Sequence, residues 1–189
     1  MELMHHGIKG QKWGIRRYQN SDGTYTEEGK KRRNTRLFVS GSSKTQDPES
    51  PYFRELPQTV KDFLRPYPNQ KASILVGDAP GVDRQVQDWL KEQGYDKVVV
   101  YGPGKNVRYQ ADSKWKSKTY DSNYEPGSKE WLAKKDKAMS RSATEGLAIT
   151  LDEGSKATKE NIKRLEAKKK PVRNYQLSSK GAQEDQWIK

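Results

Sequence analysis

The chain has 189 residues, of which only 31% are hydrophobic and 33% are charged, and this composition excludes a single core that includes every residue. The net charge of +12 favours a polyanionic partner, which is nucleic acid, a nucleotide or an acidic protein surface. The absence of cysteine excludes disulfides and thiolate metal sites, and no apolar run reaches the ~18 residues of a membrane span.

The first 34 residues predict a basic, aromatic arm, because no helical or strand period is sustained there. The arm has no continuous hydrophobic stretch, so we predict no secretory signal and expect a cytoplasmic protein. Aromatic and basic residues such as Trp13, Arg16 and Tyr18 are suited either to single-stranded nucleic acid or to a virion protein, with residues 1–36 as the binding element. The pair His5–His6 has no further histidine beside it, which argues against a metal site.

From Arg36 onward, short apolar runs alternate with apolar residues at helical spacing. The runs predict strands at residues 37–40, 74–76, 97–101, 147–151 and 171–175. The helical spacing predicts helices over residues 56–64, 82–90, 131–142 and 158–165. Pro66 and Gly94 are expected to end the first two helices.

Strands that are almost wholly apolar and alternate with helices are typical of a parallel sheet covered on both faces. We therefore predict an α/β fold, a Rossmann-like, doubly wound, mostly parallel sheet of five strands over residues 35–175. The basic arm precedes this domain, and residues 176–189 are predicted to be a flexible tail.

The segment 102–128 is long, polar and aromatic, and it follows the third strand at the ligand edge of the sheet. Two interpretations stay open for it: a disordered loop, or a lid. A lid would stack Tyr109, Trp115 and Tyr120 on a base, with Arg108 or Lys114 meeting a phosphate.

Loops after the predicted strands carry residues that suit an anion, and in such sheets ligands bind at the carboxyl ends of the strands. Glycine and small hydroxyl residues let backbone N–H groups approach a phosphate, and a helix amino-end favours its charge. We expect a nucleotide there, with no catalytic residue, no metal and no resident cofactor. The residues predicted to contact it are Ser40, Gly41, Ser42, Ser43, Gly77, Asp78, Ala79, Gly81, Val82, Asp83, Arg84, Arg108, Asp152, Gly154, Ser155, Lys156, Thr158 and Asn161.

Simpler roles are open for several of these residues. The loop at Ser40–Ser43 fits a plain turn, and Ser155 fits a helix N-cap. Asp83 is either a partner of the helix dipole or an acceptor for ribose hydroxyls. The helix amino-ends that begin at Gly81 and Ser155 are expected to converge on one anion.

These loops, in this order, resemble the SLOG superfamily, which includes cytokinin-activating phosphoribohydrolases and the DNA processing protein DprA. The resemblance is carried by LFVSGS (37–42), by ILVGDAPGVDRQVQDWL (74–90) and by the stretch from Asp136 to Ile162. It is strongest to small phage and bacterial members of the group. The resemblance implies a Rossmann-like fold, binding of a nucleotide or an ADP-ribose-like ligand, and association into a homo-oligomer.

The sequence departs from the phosphoribohydrolase motif PGGxGTxxE. Thr158 is in place, but Ala157 replaces a glycine and Asn161 stands at the position of the glutamate. Glu160 lies one position early, so it faces a different side of the helix. The departure favours binding over hydrolysis of an N-glycosidic bond. The alternative, a nucleotide-cleaving enzyme, needs an acid–base group from Asp78, Asp83, Asp136, Asp152 or Glu160.

The segment HHGIKGQKWGIRRYQNSDGTYTEEGKKRR (5–33) resembles a short module found on varied proteins of phages that infect Gram-positive bacteria. Together with the loops it leads to our first hypothesis, a phage-encoded protein in the host cytoplasm. It would capture a NAD-derived or cyclic nucleotide signal of host defence. A virion- or DNA-associated protein that binds through the arm is a further alternative.

Overall fold

A computed structural model describes residues 19–22, 24–69, 72–121 and 123–188. Its centre is one sheet of seven strands, and all neighbours in it are parallel except the last pair. The strands are β1 (Arg36–Gly41), β2 (Ser73–Gly77), β3 (Val98–Gly102), β4 (Lys116–Thr119), β5 (Glu145–Leu151), β6 (Val172–Leu177) and β7 (Gln186–Ile188). The mostly parallel α/β fold is as predicted, but the sheet has seven strands and not five.

The strand order is β4-β3-β2-β1-β5-β6-β7. From β1 the chain moves outward through β2, β3 and β4, and then it returns to the other side of β1 as β5. The direction of winding therefore changes between β1 and β5. In open parallel sheets this switch point leaves a crevice at the carboxyl ends of the strands.

The helices are α1 (Glu27–Arg33), α2 (Gln58–Leu64), α3 (Pro66–Asn69), α4 (Val82–Glu92), α5 (Lys129–Ser142) and α6 (Lys156–Glu166). Helices α2 and α4 cover one face of the sheet, where Val86 and Leu90 pack with Leu37 and Val39. Helices α5 and α6 cover the other face, where Met139 packs with Phe38. Neighbouring residues of β1 thus point into different layers, because successive side chains of a strand alternate.

Part of the segment 102–128 is built into the sheet, which the sequence did not predict. Its strand β4 pairs with β3, and Trp115 is 4% exposed in the core with its indole N–H donating to the Tyr95 carbonyl at 2.7 Å. Tyr120 stacks on Tyr101 with ring centroids 5.9 Å apart. Tyr109 donates to Asp88. The three aromatic side chains proposed to stack on a base are therefore packed on the protein itself.

The residues after Gln176 are also ordered into elements, in contrast to the predicted flexible tail. A 3₁₀ turn at Ala182–Glu184 leads into β7, which pairs antiparallel with β6. Trp187 of β7 contacts the rings of Phe63 and Tyr175, with centroids 5.3 and 4.9 Å apart. The last strand is short and exposed, so its aromatic contacts hold it in place more than any apolar pattern does.

In the arm, the structure has helix α1 and an isolated bridge between Gln19 and Tyr25, where the sequence predicted no element. The aromatic–basic strip around Trp13 and the pair His5–His6 lie outside the described residues. Within the part of the chain that the structure describes, no helix is both long and apolar enough to cross a membrane.

Candidate functional site

A cavity of about 440 Å³ opens at the switch point between β1 and β5. The sequence brings it together because the carboxyl ends of parallel strands meet at one edge of the sheet. Its walls come from the loop after β1, the loop after β2, helix α5, the amino-end of α6, and Arg108. The lining residues are Phe38, Val39, Ser40, Gly41, Ser42, Ser43, Ala79, Pro80, Asp83, Arg108, Leu132, Lys135, Asp136, Met139, Ser155, Lys156, Ala157, Thr158 and Asn161.

The amino-end of α6 forms one wall of this cavity. Gly154 and Ser155 turn the chain into the helix with positive φ angles of 92° and 57°. Ser155 is the N-cap residue of α6, but its hydroxyl accepts the N–H of Leu151 at 2.8 Å and makes no capping hydrogen bond to the helix. The first amides of a helix, here from Lys156 onward, have no acceptor within the helix. Together with the helix dipole and the Lys156 ammonium they favour a bound anion.

Arg108 reaches the cavity from the segment after β3. Its Nε and Nη2 donate to the two carboxylate oxygens of Asp78 at 3.1 and 2.6 Å, and its backbone N–H donates to the same carboxylate at 2.9 Å. The Asp78 side chain is fully buried, whereas that of Arg108 is 40% exposed. Arg108 lines the cavity and Asp78 does not. Asp78 therefore holds the Arg108 guanidinium from outside the cavity lining. A bidentate pair fixes the direction of an arginine far better than a single bond.

The amino-end of α4 differs from that of α6 because two of its amides donate to groups of the protein itself. Its first amides are used inside the protein, since Gly81 donates to the Gln46 side chain at 3.0 Å and Val82 donates to the Ser42 carbonyl at 3.0 Å. A side chain at Gly81 would clash with the backbone of Ser42 and Ser43. Gly81 therefore serves close packing of α4 on the first loop. With these two amides taken inside the protein, the expected convergence of two helix amino-ends on one anion stays a prediction.

A buried cluster of charges lies at the base of the cavity. The ammonium of Lys135 is 3.2 Å from Asp136 and 3.7 Å from Asp83. A Cβ atom on Gly77 would lie 2.5 Å from the same ammonium, so only glycine leaves room for it. Burial raises the pKa of Asp83 to about 6, and the charge of Lys135 offsets only part of this effect. Burial lowers the pKa of Lys135, but Asp136 and Asp83 outweigh it and raise that pKa above its usual value.

An amide network joins this cluster to β1. The Asn161 amide donates to the Ser40 hydroxyl at 2.9 Å and to the Asp136 carboxylate at 3.1 Å. Its oxygen accepts from Arg164. Asn161, which stands where the phosphoribohydrolase motif has a glutamate, is only 2% exposed and holds Asp136 through this bond.

The structure brings together many of the residues predicted from the sequence. Those that line the cavity are Ser40, Gly41, Ser42, Ser43, Ala79, Asp83, Arg108, Ser155, Lys156, Thr158 and Asn161. Those that do not line it are Gly77, Asp78, Gly81, Val82, Arg84, Asp152 and Gly154. Binding by any of them stays a prediction.

Sequence reasoning missed three residues of α5 that line the cavity, which are Leu132, Lys135 and Met139. It considered Asp136 of the same helix only as an acid–base group. A signal for Lys135 was present, because it lies within the apolar stripe of its helix, four residues after Trp131. A lysine in a buried stripe needs a partner carboxylate, and that requirement points to a cluster.

The acidic residues considered for catalysis are separated by the fold. Asp83 and Asp136 line the cavity, Asp78 is bonded to Arg108, and Asp152 and Glu160 lie outside. Glu160 is paired instead with Lys163 at 3.4 Å. Among the described residues, no group of three or more histidine or acidic side chains is placed to hold a metal ion.

Comparison with known proteins gives a fold neighbour. The chain is similar to DNA processing protein A from Helicobacter pylori, a structure described for its single-stranded DNA binding mode. The TM-score is 0.51 at 17% identity, over 75% of this chain and 66% of that one, so this chain spans less than two thirds of its neighbour. At this identity the likeness shows a shared Rossmann-like fold. No protein-family model and no curated protein matches the sequence.

Proposed function

We propose that this chain binds a phosphate-bearing nucleotide in the switch-point cavity and does not cleave it. The observation that carries the proposal is the shared opening of the α6 amino-end, Lys156 and Arg108 into one cavity. Helix amides and an oriented guanidinium are the groups that recognise phosphate oxygens in proteins. Asp136 and Ser40 line the same cavity.

The size of the cavity supports a ligand of nucleotide class. About 440 Å³ falls in the range of ~300–1,000 Å³ that pockets for small ligands occupy. The wall formed by Phe38, Leu132 and Met139 is apolar and suits a flat base or the carbon face of a sugar. Carboxylates beside it suit sugar hydroxyls, which donate hydrogen bonds.

Binding without turnover is supported by the chemistry of Asn161. An amide can position a ligand, but it cannot take up or release a proton as a glutamate does. Glu160 does not compensate, because it faces away from the cavity and is paired with Lys163. The alternative enzyme would therefore have to work with Asp83 or Asp136, both of which interact with Lys135.

As the ligand and the biological role we propose an ADP-ribose-like or cyclic nucleotide, captured as a host defence signal by a phage-encoded protein. The support is the resemblance of the loops to the SLOG superfamily and of residues 5–33 to a phage module. The same hypothesis includes association into a homo-oligomer. It places the protein in the host cytoplasm or, through residues 1–36, on a virion.

Isothermal titration of the full chain tests the proposal with three probes: ADP-ribose, cyclic ADP-ribose and a cyclic dinucleotide. We expect heat with at least one, and chromatography of the mixture afterwards should return that nucleotide unchanged. Absence of heat with all three contradicts nucleotide binding. Release of a free base or a free phosphate supports the enzyme, and loss of that release in Asp136→Asn would assign its acid–base group.

A second candidate function is binding of single-stranded DNA. It is favoured by the fold shared with a protein described for that binding and by the net charge of +12. A fluorescent oligothymidine tests it, since phosphate contacts make its affinity fall steeply with salt. Competition by ADP-ribose for the oligonucleotide would place both ligands in the cavity, and its absence would assign the DNA to another surface.

A further inference from the structure

We propose that Asp152 and the C-terminal segment 178–185 position the anion-facing end of α6, although neither lines the cavity. The inference rests on the proposed nucleotide site, for which it names the residues that hold the binding amides in place. It assigns a function to the Asp152 carboxylate, which the sequence predicted to contact the ligand and which does not line the cavity.

Asp152 accepts several hydrogen bonds from different parts of the chain. One oxygen accepts from the Tyr52 hydroxyl and from the Glu153 N–H at 2.8 Å. The other accepts the N–H and the hydroxyl of Ser179 at 2.8 and 3.0 Å. The Tyr52 hydroxyl and these donors hold the pKa of Asp152 well below its usual range, so the carboxylate is ionised at neutral pH.

Asp152 lies two residues before a turn with an unusual backbone conformation. Gly154 has a φ of 92°, and Ser155 adopts a left-handed conformation that non-glycine residues seldom enter. Such a conformation persists only where the surrounding contacts determine it. The contacts here are the Leu151 N–H on the Ser155 hydroxyl and the anchoring of Asp152 and Glu153 to Tyr52 and Ser179.

The C-terminal segment is itself fastened at its other end. Arg54 forms an ion pair with Asp185, and their side chains are 9% and 1% exposed. Arg54 also donates to the Ser178 carbonyl at 2.7 Å, and Asp185 accepts the Ser178 N–H at 2.8 Å. Ser179 is therefore presented to Asp152 from a fixed loop. A series of contacts thus runs from the buried ion pair through Ser179 and Asp152 to the turn before α6. We propose that this turn directs the α6 amides into the cavity.

The consequence is that affinity should depend on residues that a ligand never contacts. Loss of the Asp152 carboxylate removes the acceptor oxygens for Tyr52 and Ser179 together. We expect the turn at Gly154 and Ser155 to become mobile as a result. Helix amides bind an anion well only when they are oriented before it arrives, because ordering them on binding weakens affinity.

The test compares the full chain with Asp152→Ala, with Asp152→Asn and with Trp187→Ala as the matched control. Trp187→Ala removes contacts of the same C-terminal region with Phe63 and Tyr175 but leaves Ser179 and Asp152 in place. The first measurement is hydrogen exchange of the Leu151 amide without ligand, since that amide reports the position of Ser155 and does not touch the Asp152 side chain. The second is the affinity for ADP-ribose by calorimetry.

We expect Asp152→Ala to speed exchange of the Leu151 amide and to weaken ADP-ribose about 10-fold. Asp152→Asn keeps an acceptor for Tyr52 and should recover part of both losses. Trp187→Ala should lower the melting temperature and leave both measurements near those of the full chain.

The outcomes separate this inference from the proposed function. Faster exchange of the Leu151 amide in Asp152→Ala, without a similar change in Trp187→Ala, supports the positioning role. This holds even if the full chain binds no ADP-ribose, because absence of binding overturns ADP-ribose as the ligand and not the positioning role. Unchanged exchange overturns the positioning role, as does unchanged affinity when the full chain binds. Equal effects of Trp187→Ala on both measurements would reduce the role of Asp152 to general stability and overturn it as well.

Discussion

Among single residues, Arg108 differs from Lys156, the exposed cation of the cavity, because a buried carboxylate fixes the direction of its guanidinium. Asp78 accepts hydrogen bonds from Nε, Nη2 and the backbone N–H of Arg108, and Arg108 itself lines the cavity. Lys114, the other cation considered for a phosphate, does not line the cavity. The two residues therefore make a matched pair for testing.

Arg108→Ala should weaken binding of ADP-ribose by roughly 10- to 100-fold, because a charge-assisted hydrogen bond contributes ~1.5–3 kcal/mol. Lys114→Ala should leave the affinity within about twofold. Calorimetric titration of both variants beside the full chain measures the difference. Equal weakening by the two variants would indicate a diffuse effect of charge and would contradict the assignment of Arg108.

Asp83 is a second residue whose role can be tested, because burial raises its pKa to about 6 from its ordinary 3.8. A carboxyl whose folded pKa lies above its unfolded pKa favours folding most at low pH. That contribution is lost as pH rises from about 4 to about 6, and the loss is on the order of 3 kcal/mol. The loss occurs because ionisation is easier in the unfolded chain than in the buried cluster.

Urea unfolding of the full chain and of Asp83→Asn between pH 4 and 7 measures this effect. The stability of the full chain relative to Asp83→Asn should fall across the window and then level off. The comparison removes the opposite contribution of Asp152, whose lowered pKa favours folding above pH ~4. A difference that stays constant with pH would mean that Lys135 keeps Asp83 ionised throughout.

At the scale of elements, α4 and α6 show how similar sequence signals lead to different surfaces. Both helices follow a glycine-containing loop at the carboxyl edge of the sheet. The first amides of α4 donate to Ser42 and Gln46, whereas the end of α6 lines the cavity. The cause is the close packing of α4 on the loop after β1, where Gly41 faces Val82.

This packing predicts a large cost for Gly41→Ala, since its Cβ would lie 2.5 Å from the branched Val82 side chain. We expect a loss of ~2–4 kcal/mol in the free energy of unfolding, because neither β1 nor α4 can move without disturbing the core. Gly146→Ala is the matched control within another buried strand, where the new Cβ would meet the flexible end of Leu165. Urea unfolding of both variants should give the smaller loss for Gly146→Ala, and the reverse order would contradict the packing argument.

At the scale of the whole molecule, we predict that the cavity and the basic arm are separate parts of the chain. The described residues that line the cavity all lie between Phe38 and Asn161, and the buried apolar core of the same residues begins at Leu37. On this prediction the arm contributes charge, and the α/β domain contributes the cavity.

Deletion of residues 1–34 should accordingly keep the affinity for ADP-ribose within about twofold of the full chain. Affinity for oligothymidine, measured over a range of salt, should fall, and the dependence of its logarithm on salt should become shallower. Oligonucleotide binding that survives the deletion unchanged would contradict the arm as the binding element. Loss of nucleotide binding would contradict the separation of the two parts.

The sequence by itself determined the parallel α/β architecture, because buried strands and amphipathic helices leave periodic apolar patterns in the chain. It also determined the edge that carries the site, since the loops after parallel strands must meet there. It did not reveal β4 or β7. Residues Lys116–Thr119 are all exposed, and Gln186–Ile188 are too few to form a period.

The tertiary structure alone decided which groups face the cavity and which support it. It pairs Asp78 with Arg108, and it uses the amides of Gly81 and Val82 to bind Gln46 and Ser42. The Lys135 cluster required side chains from separate helices. Such pairings depend on distances between residues far apart along the chain, and no local pattern of residues encodes those distances.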